Sequence, residues 1–361
     1  MNKRRAWRSS GRLAAAMLFL LLPASLGATE IPGLAVLEHG GVILGVKLDA
    51  GGRAVYLGLS PREGQAPGAL PPNALYSPAE SWTVAPPAAD AKTASDWTTW
   101  KPFQGHITWI GPQKDFWTRQ DLVPEKRARA DDWPPDPYVV YGRFRVEEKS
   151  DARLVVAGPP SPVSGVKLSK EYRIGDDGRL TVRTVATNVL DRPNRLNLWS
   201  NTRVPSHRFS FVKIPNQKID FAFGTWEPYS ERMASWDVRD GWFFFVPGRP
   251  EALPAGVKEI SGKMTLHPPQ GLIVVGGDGM VFVKRFATVR DLAPGQGAVE
   301  VYHCVSRDPT RGMAELEFYN AYRALAPGES MEIVETWELR PYSGPDTQEG
   351  YLQWARENVK E

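Results

Sequence analysis

The chain has 361 residues with 44 basic and 41 acidic side chains, a formal charge of +3 and an apolar content of 42%. Five of the basic residues and none of the acidic ones fall in positions 1–28, so the remainder carries 39 against 41, a formal charge of −2. A near-neutral body without lysine or arginine runs gives no electrostatic reason to expect a nucleic-acid partner, and one cysteine, Cys304, excludes an intramolecular disulfide and a thiolate zinc cluster.

At the N-terminus Lys3, Arg4, Arg5, Arg8 and Arg12 precede an apolar run at 13–22 and small residues at 24–28. Basic, apolar, small is the order of a secretory signal peptide, here expected to be cleaved near Ala28. The apolar run, about ten residues, is half of what a membrane-spanning helix needs. The body is therefore expected in the periplasm or outside the cell, with no integral membrane segment after cleavage. Arg4-Arg5 leaves general and twin-arginine export both open.

Positions 29–361 read as one domain of short strands separated by Gly, Pro, Asn and Asp clusters, the pattern of antiparallel sandwiches. The stronger strand candidates are 41–47, 54–59, 139–147, 168–174, 180–187, 195–203, 241–246, 272–275, 281–286, 299–305, 314–319 and 331–339. Asp176-Asp-Gly178 between two of them is a hairpin signal. A dozen strands exceed an immunoglobulin-sized unit and predict an all-β fold of two broad sheets. The Pro/Ala/Gly-rich stretch 61–87 reads as a long surface excursion. Only the tail, 344–361, reads as helix, with Asp346 and Glu349 as a capping box and Leu352, Ala355 and Val359 on one face; it is expected to pack outside the sheet.

Side chains two apart on a strand share a face. In 195–203, Leu196 and Leu198 fall on one side and Asn197, Trp199, Asn201 and Arg203 on the other. A planar ring among amide and guanidinium donors suits a sugar, whose C–H faces stack and whose hydroxyls need partners; a solvated outer face is the plainer alternative. The segment Phe103-Gln-Gly-His-Ile-Thr-Trp-Ile-Gly-Pro112, with Trp97, Trp100, Trp117 and Trp133 near it, leads to the rigid turn Trp133-Pro-Pro-Asp136. Aromatics, a histidine and a carboxylate on loops make His106, Trp109 and Asp136 candidates for binding or proton transfer. His207, after Arg203, could reach the same cleft. Lys284, between Phe282 and Phe286 on one face, either snorkels outward or lines a cleft. Glu315, Glu317 and Tyr319 share a face, and Glu317 is a candidate general base, whereas Glu315 reads as solvated. His303 shares a face with Val299, Val301 and Val305, reads as core, and points away from Cys304. The spacing of the histidines predicts no metal site, and no cofactor is expected.

Several segments together resemble the galactose mutarotase-like superfamily, which includes aldose 1-epimerases and hexose-6-phosphate epimerases. They are Asp49-Ala-Gly-Gly-Arg-Ala-Val55, Gly105-His-Ile-Thr-Trp-Ile-Gly111, Leu180-Thr-Val-Arg-Thr-Val-Ala-Thr-Asn188, Arg192-Pro-Asn-Arg-Leu-Asn-Leu-Trp199, Leu316-Glu317, Leu325-Ala-Pro-Gly-Glu329 and Glu335-Thr-Trp337. Gly-His-x-x-Trp and Trp-Pro-x-Asp mark an uncharacterised branch. The resemblance implies a β-supersandwich with a carbohydrate ligand on its concave face. In the epimerases a glutamate base and a histidine acid open the sugar ring; Glu317 matches the glutamate. The family's central-strand histidine falls near Asn201 here, so the acid role would pass to His106 or His207.

The leading expectation is thus an exported, monomeric carbohydrate-binding protein. Glu317 and His106 are its candidate catalytic pair, and Trp109, Asp136, Trp199, Asn201, Arg203, His207 and Lys284 its ligand contacts. A noncatalytic glycan-binding module explains the missing central histidine equally well. A glycan hydrolase or lyase would need Glu317 and Asp136 facing each other across roughly 5 to 10 Å.

Overall fold

The computed structural model describes residues 29–61, 69–90, 92, 103–215, 222–224, 232–308 and 311–359; the leader, Trp97 and Trp100 lie outside them. The strands form two large sheets, and an apolar face of each meets the other.

The first sheet runs in the order Ala35–His39, Val42–Lys47, Arg53–Leu59, His106–Gly111, Asn194–Pro205, Met313–Tyr319, Val299–Ser306, Glu259–Leu266 and Ala222–Gly224. The second runs Trp236–Arg239, Trp242–Phe245, Phe209–Lys213, Gly271–Gly277, Met280–Phe286, Ser330–Pro341, Leu180–Asn188, Val166–Ile174, Arg153–Pro160 and Arg145–Lys149. Both are antiparallel, apart from Arg232–Met233, which pairs parallel with Glu259–Leu266. Leu196, Leu198, Val204, Leu316 and Phe318 of the first sheet share a buried cluster with Val182, Phe282, Ile333 and Trp337 of the second. Each such fully buried side chain stabilises by about 1.5–3 kcal/mol. The Asp176-Asp-Gly178 turn forms as expected, with φ of +75° at Gly178, and it packs on the hairpin turn of the other sheet. A Cβ on Gly178 would lie 2.6 Å from the Gly40 carbonyl oxygen, so the two turns meet only because both carry glycine.

Three expectations need correction. Residues 139–147 are not one strand: Asp136 caps the short helix Pro137–Val140, accepting from the Tyr138 amide at 2.9 Å, and the strand begins only at Arg145. A proline at the first helical position and an Asx cap outweigh the β propensity of the valines. The stretch 61–87 is more than an excursion, because Asn73 accepts from the Leu57 and Leu75 amides and donates to the Val55 carbonyl, pinning buried Ala74 and Leu75 to the sheet. The tail helix, Gln348–Asn358, is capped by Thr347, whose hydroxyl accepts from the Gly350 amide at 3.2 Å. Asp346 instead accepts from the Tyr351 hydroxyl. Leu352, Ala355 and Val359 pack with Tyr351 against Phe211, Val274 and Val283, on the face of the second sheet turned away from the first.

Candidate functional site

Strand register decides which side chains can meet. Asn194–Pro205 lies between His106–Gly111 and Met313–Tyr319, with Trp109 opposite Trp199, Ile107 and Glu317 opposite Asn201, Glu315 opposite Arg203 and Tyr319 opposite Trp199. The next strand places Glu300 opposite Glu317 and Tyr302 opposite Glu315, and Lys263 pairs with Tyr302 beyond it. Directly opposed residues share a face, so Trp109, Trp199, Asn201, Arg203, Lys263, Glu300, Glu315, Glu317 and Tyr319 occupy one side of the first sheet. Residues of the other parity, such as Leu198 and Leu316, fill the core between the sheets.

That outer side is covered. Phe116, Trp117, Val140 and Tyr141, from the connection between His106–Gly111 and Arg145–Lys149, join Trp109, Trp199 and Tyr319 in a second apolar cluster. The Trp109 and Trp199 rings meet edge to face at 4.6 Å, and Tyr319 lies 5.5 Å from Trp199.

Beside the rings runs a line of charges. Lys263 Nζ lies 2.7 Å from Glu300 and 2.8 Å from Glu317, and 5.2 Å from the Trp199 ring centre. The Arg203 guanidinium donates to Glu315 at 2.6 Å and sits 5.3 Å from the Trp109 ring. Tyr319 donates to Glu300 at 3.1 Å, and Asn201 Nδ2 to Glu317 at 3.2 Å. Burial pushes the Glu317 carboxyl well above the usual carboxylate range, against Lys263 and with Glu315 and Glu300 adding to the rise. Burial works the same way on Glu315, but there Arg203 wins and holds it below that range. The two carboxyl groups on one strand are thus shifted in opposite directions.

The cluster is incompletely satisfied. The Trp109 and Trp199 indole nitrogens and Asn201 Oδ1 have no hydrogen-bond partner, although their residues are 2%, 3% and 0% exposed. Buried polar groups are nearly always paired, and these three unpaired atoms lie together on one face of the sheet.

The model of the family described as "Domain of unknown function (DUF4380)" matches residues 72–340. The chain belongs to this family. No curated protein matches it. Among solved structures it is similar to a galactose mutarotase-like protein from Lactobacillus casei ATCC 334, at 11% identity, covering 85% of this chain and 100% of that one with a TM-score of 0.50. It is similar too to the aldose epimerase homologue from C. elegans (9% identity, 86% and 100% coverage, TM-score 0.48) and to a galactose mutarotase related enzyme from Lactobacillus acidophilus (9%, 87% and 99%, TM-score 0.47). The L. casei match establishes the fold of this DUF4380 chain as galactose mutarotase-like, as the sequence resemblance implies.

Within that fold the expected site residues divide. Glu317, Trp109, Trp199, Asn201 and Arg203 come together on the outer side of the first sheet. His106 does not: it stands opposite Thr202 and points between the sheets, where its Nδ1 is 2.9 Å from the Thr202 hydroxyl and its Nε2 3.5 Å from Glu335. The sheet itself separates it from Glu317, so the two cannot flank one sugar. Burial, only partly offset by Glu335, brings its imidazole down to about 3, which keeps it neutral. Lys284 is also between the sheets, fully buried, donating to Thr202 at 2.6 Å and paired with Glu335 at 3.0 Å. Asp136 is the helix cap described above, its second oxygen occupied by Ser161 and Ser164. His207 lies half-buried on a turn, 3.4 Å from Asp278 in a hairpin turn of the second sheet. His303 is core, stacked on Phe245 at 5.5 Å.

Four members of the cluster lie outside the expected set: Lys263, Glu300, Glu315 and Tyr319. Glu315 and Tyr319 share the parity of Glu317, and Glu300 the parity of Cys304 opposite the core-facing His303. Lys263 sits in 259–266, where Glu259, Ser261, Lys263 and Thr265 alternate with Ile260, Met264 and Leu266, a period-two signal that the sequence does carry. Among the described residues no group of three or more His, Cys, Asp or Glu is arranged to hold a metal, and no helix is long and apolar enough to cross a membrane.

Proposed function

We propose that the DUF4380 chain binds a carbohydrate on the outer side of its first sheet, and that it does so after export from the cytoplasm. The observation that carries the reading is the set of orphaned groups beside paired rings: two indole donors and one amide acceptor, all buried, within a cluster of two cations and three carboxyl groups. Each orphan costs about 1–3 kcal/mol while unpaired. A hydroxyl-rich ligand offers donors and acceptors at once. The basic, apolar, small-residue leader supports export.

Binding rather than Glu–His catalysis is what this geometry favours, because His106 is on the other side of the sheet and His207 pairs with Asp278. Saturation-transfer NMR of the mature protein with aldoses, uronic acids and short oligosaccharides tests the reading. Transfer to at least one sugar, abolished by Trp199→Ala, is expected; silence across the panel would refute it.

A further inference from the structure

We propose that a cleft at the start of the strand Asn194–Pro205, separate from the ring and charge cluster around Trp199, binds a small organic carboxylate. The proposal does not depend on the carbohydrate reading.

The cleft lies between three segments, 119–122, 162–165 and 190–195, and encloses about 430 Å³, within the roughly 300–1,000 Å³ usual for small-molecule sites. Its walls are tied to one another. Arg119 donates to the Arg195 carbonyl, Asn194 Nδ2 to the Ser164 carbonyl at 2.9 Å, and the Val189 amide to the Gly165 carbonyl at 3.0 Å. Behind the middle segment, the Ser161 and Ser164 hydroxyls donate to buried Asp136 and fix that turn. A cleft held in this way asks for little ordering when a ligand enters.

Three arginines and one carboxylate line it: Arg119, Arg192, Arg195 and Asp121. Two of these four are already matched, Asp121 by Arg127 and Arg119 by Asp115, with Arg119 donating to the Tyr322 hydroxyl as well. Arg192 has only Asp191, 3.9 Å away, and the two side chains are 61% and 94% exposed, so that contact holds the guanidinium weakly. Arg195 makes no ion pair among the described residues. Its guanidinium lies over the Tyr322 ring, 4.7 Å from the centre. Stacking occupies the face of a guanidinium and leaves its in-plane fork of N–H donors for a planar anion, the geometry that a carboxylate matches with two parallel hydrogen bonds. The surplus of positive charge therefore sits on Arg192 and Arg195, at one wall. Pro162, Val163, Leu190 and Pro193 supply apolar surface beside them. A carbon skeleton bearing a carboxylate fills such a space, whereas a bare inorganic anion would meet the arginines and leave the apolar wall uncovered.

Isothermal titration of the mature protein with D-glucuronate, citrate and inorganic phosphate tests the proposal, the two acids standing for a sugar acid and a free organic acid. At least one acid should bind more tightly than phosphate. Its affinity should fall about tenfold or more in Arg195→Ala, fall further when Arg192→Ala is added, and weaken as salt is raised. Trp199→Ala should leave it unchanged, and D-glucose should not displace the acid. Both arginines are exposed, so the variants should fold, which circular dichroism checks; should Arg195→Ala fail, Arg192→Ala alone serves. Binding of neither acid overturns the cleft and leaves the carbohydrate reading standing. Affinity lost in Trp199→Ala but kept in the arginine variants puts the acid on the carbohydrate face and overturns it too. Phosphate binding as tightly as the acids means an adventitious ion only, and displacement by D-glucose means that charge is not what is read; either result contradicts the proposal.

Discussion

Lys284 and His106 show how much hangs on which way a side chain points. Phe282, Lys284 and Phe286 share one strand face, and the rings pack into the core, Phe286 stacked on Phe318 at 3.8 Å. The lysine must follow them and therefore needs the buried Glu335. Lys284→Met leaves that buried carboxylate without its cation and should cost about 3–5 kcal/mol in urea denaturation, with much of the loss recovered when Glu335→Leu is added. A Lys284→Met variant as stable as wild type would contradict the network. His303 allows a cleaner pH test. Burial alone brings its imidazole down to about 4 from 6.5, so between those values the unfolded chain binds more protons. This contribution to stability is full above pH 6.5 and declines as the pH falls towards 4, by about 1.4 kcal/mol per pH unit. His303→Phe should flatten the decline in that window; parallel curves for the two proteins would argue against it. The placement of Glu317, Trp199, Asn201 and Arg203 is legible from alternation alone. So is the fact that His106 and Trp109, three apart, face opposite ways on a strand, but reading 103–112 as loop hides it.

At the level of elements, the strand runs and the tail helix are legible because their periodicities differ, two against 3.6. His106–Gly111 is concealed by its own burial: all six residues are buried, so the segment lacks the polar alternation that announces a half-exposed strand. Glu259–Leu266 does alternate, with Gly262 as its one interruption. The tail helix depends on Tyr351, which is fully buried and fits only because Gly276 has no side chain; a Cβ there would lie 2.2 Å from the ring. Tyr351→Ala should destabilise by about 3–5 kcal/mol through the cavity it opens. Chemical denaturation measures this, and a change below 1 kcal/mol would mean that the helix is not integral to the second sheet.

Across the whole molecule, two broad sheets follow from a dozen strands with turn clusters between them, but their order does not. Trp199 meets Trp109 and Tyr319 only through pairings spanning about 90 and 120 residues, and no local pattern encodes such neighbours. That same arrangement concentrates rings, charges and unpaired polar atoms on one covered side of the first sheet, where the carbohydrate is proposed to bind. Isothermal titration of the mature protein with a sugar selected by NMR, compared with Trp199→Ala and Asn201→Ala, tests this most directly. A loss of affinity of at least tenfold, about 1.4 kcal/mol, is predicted for both folded variants. Unchanged affinity in both would place the ligand elsewhere and contradict the account.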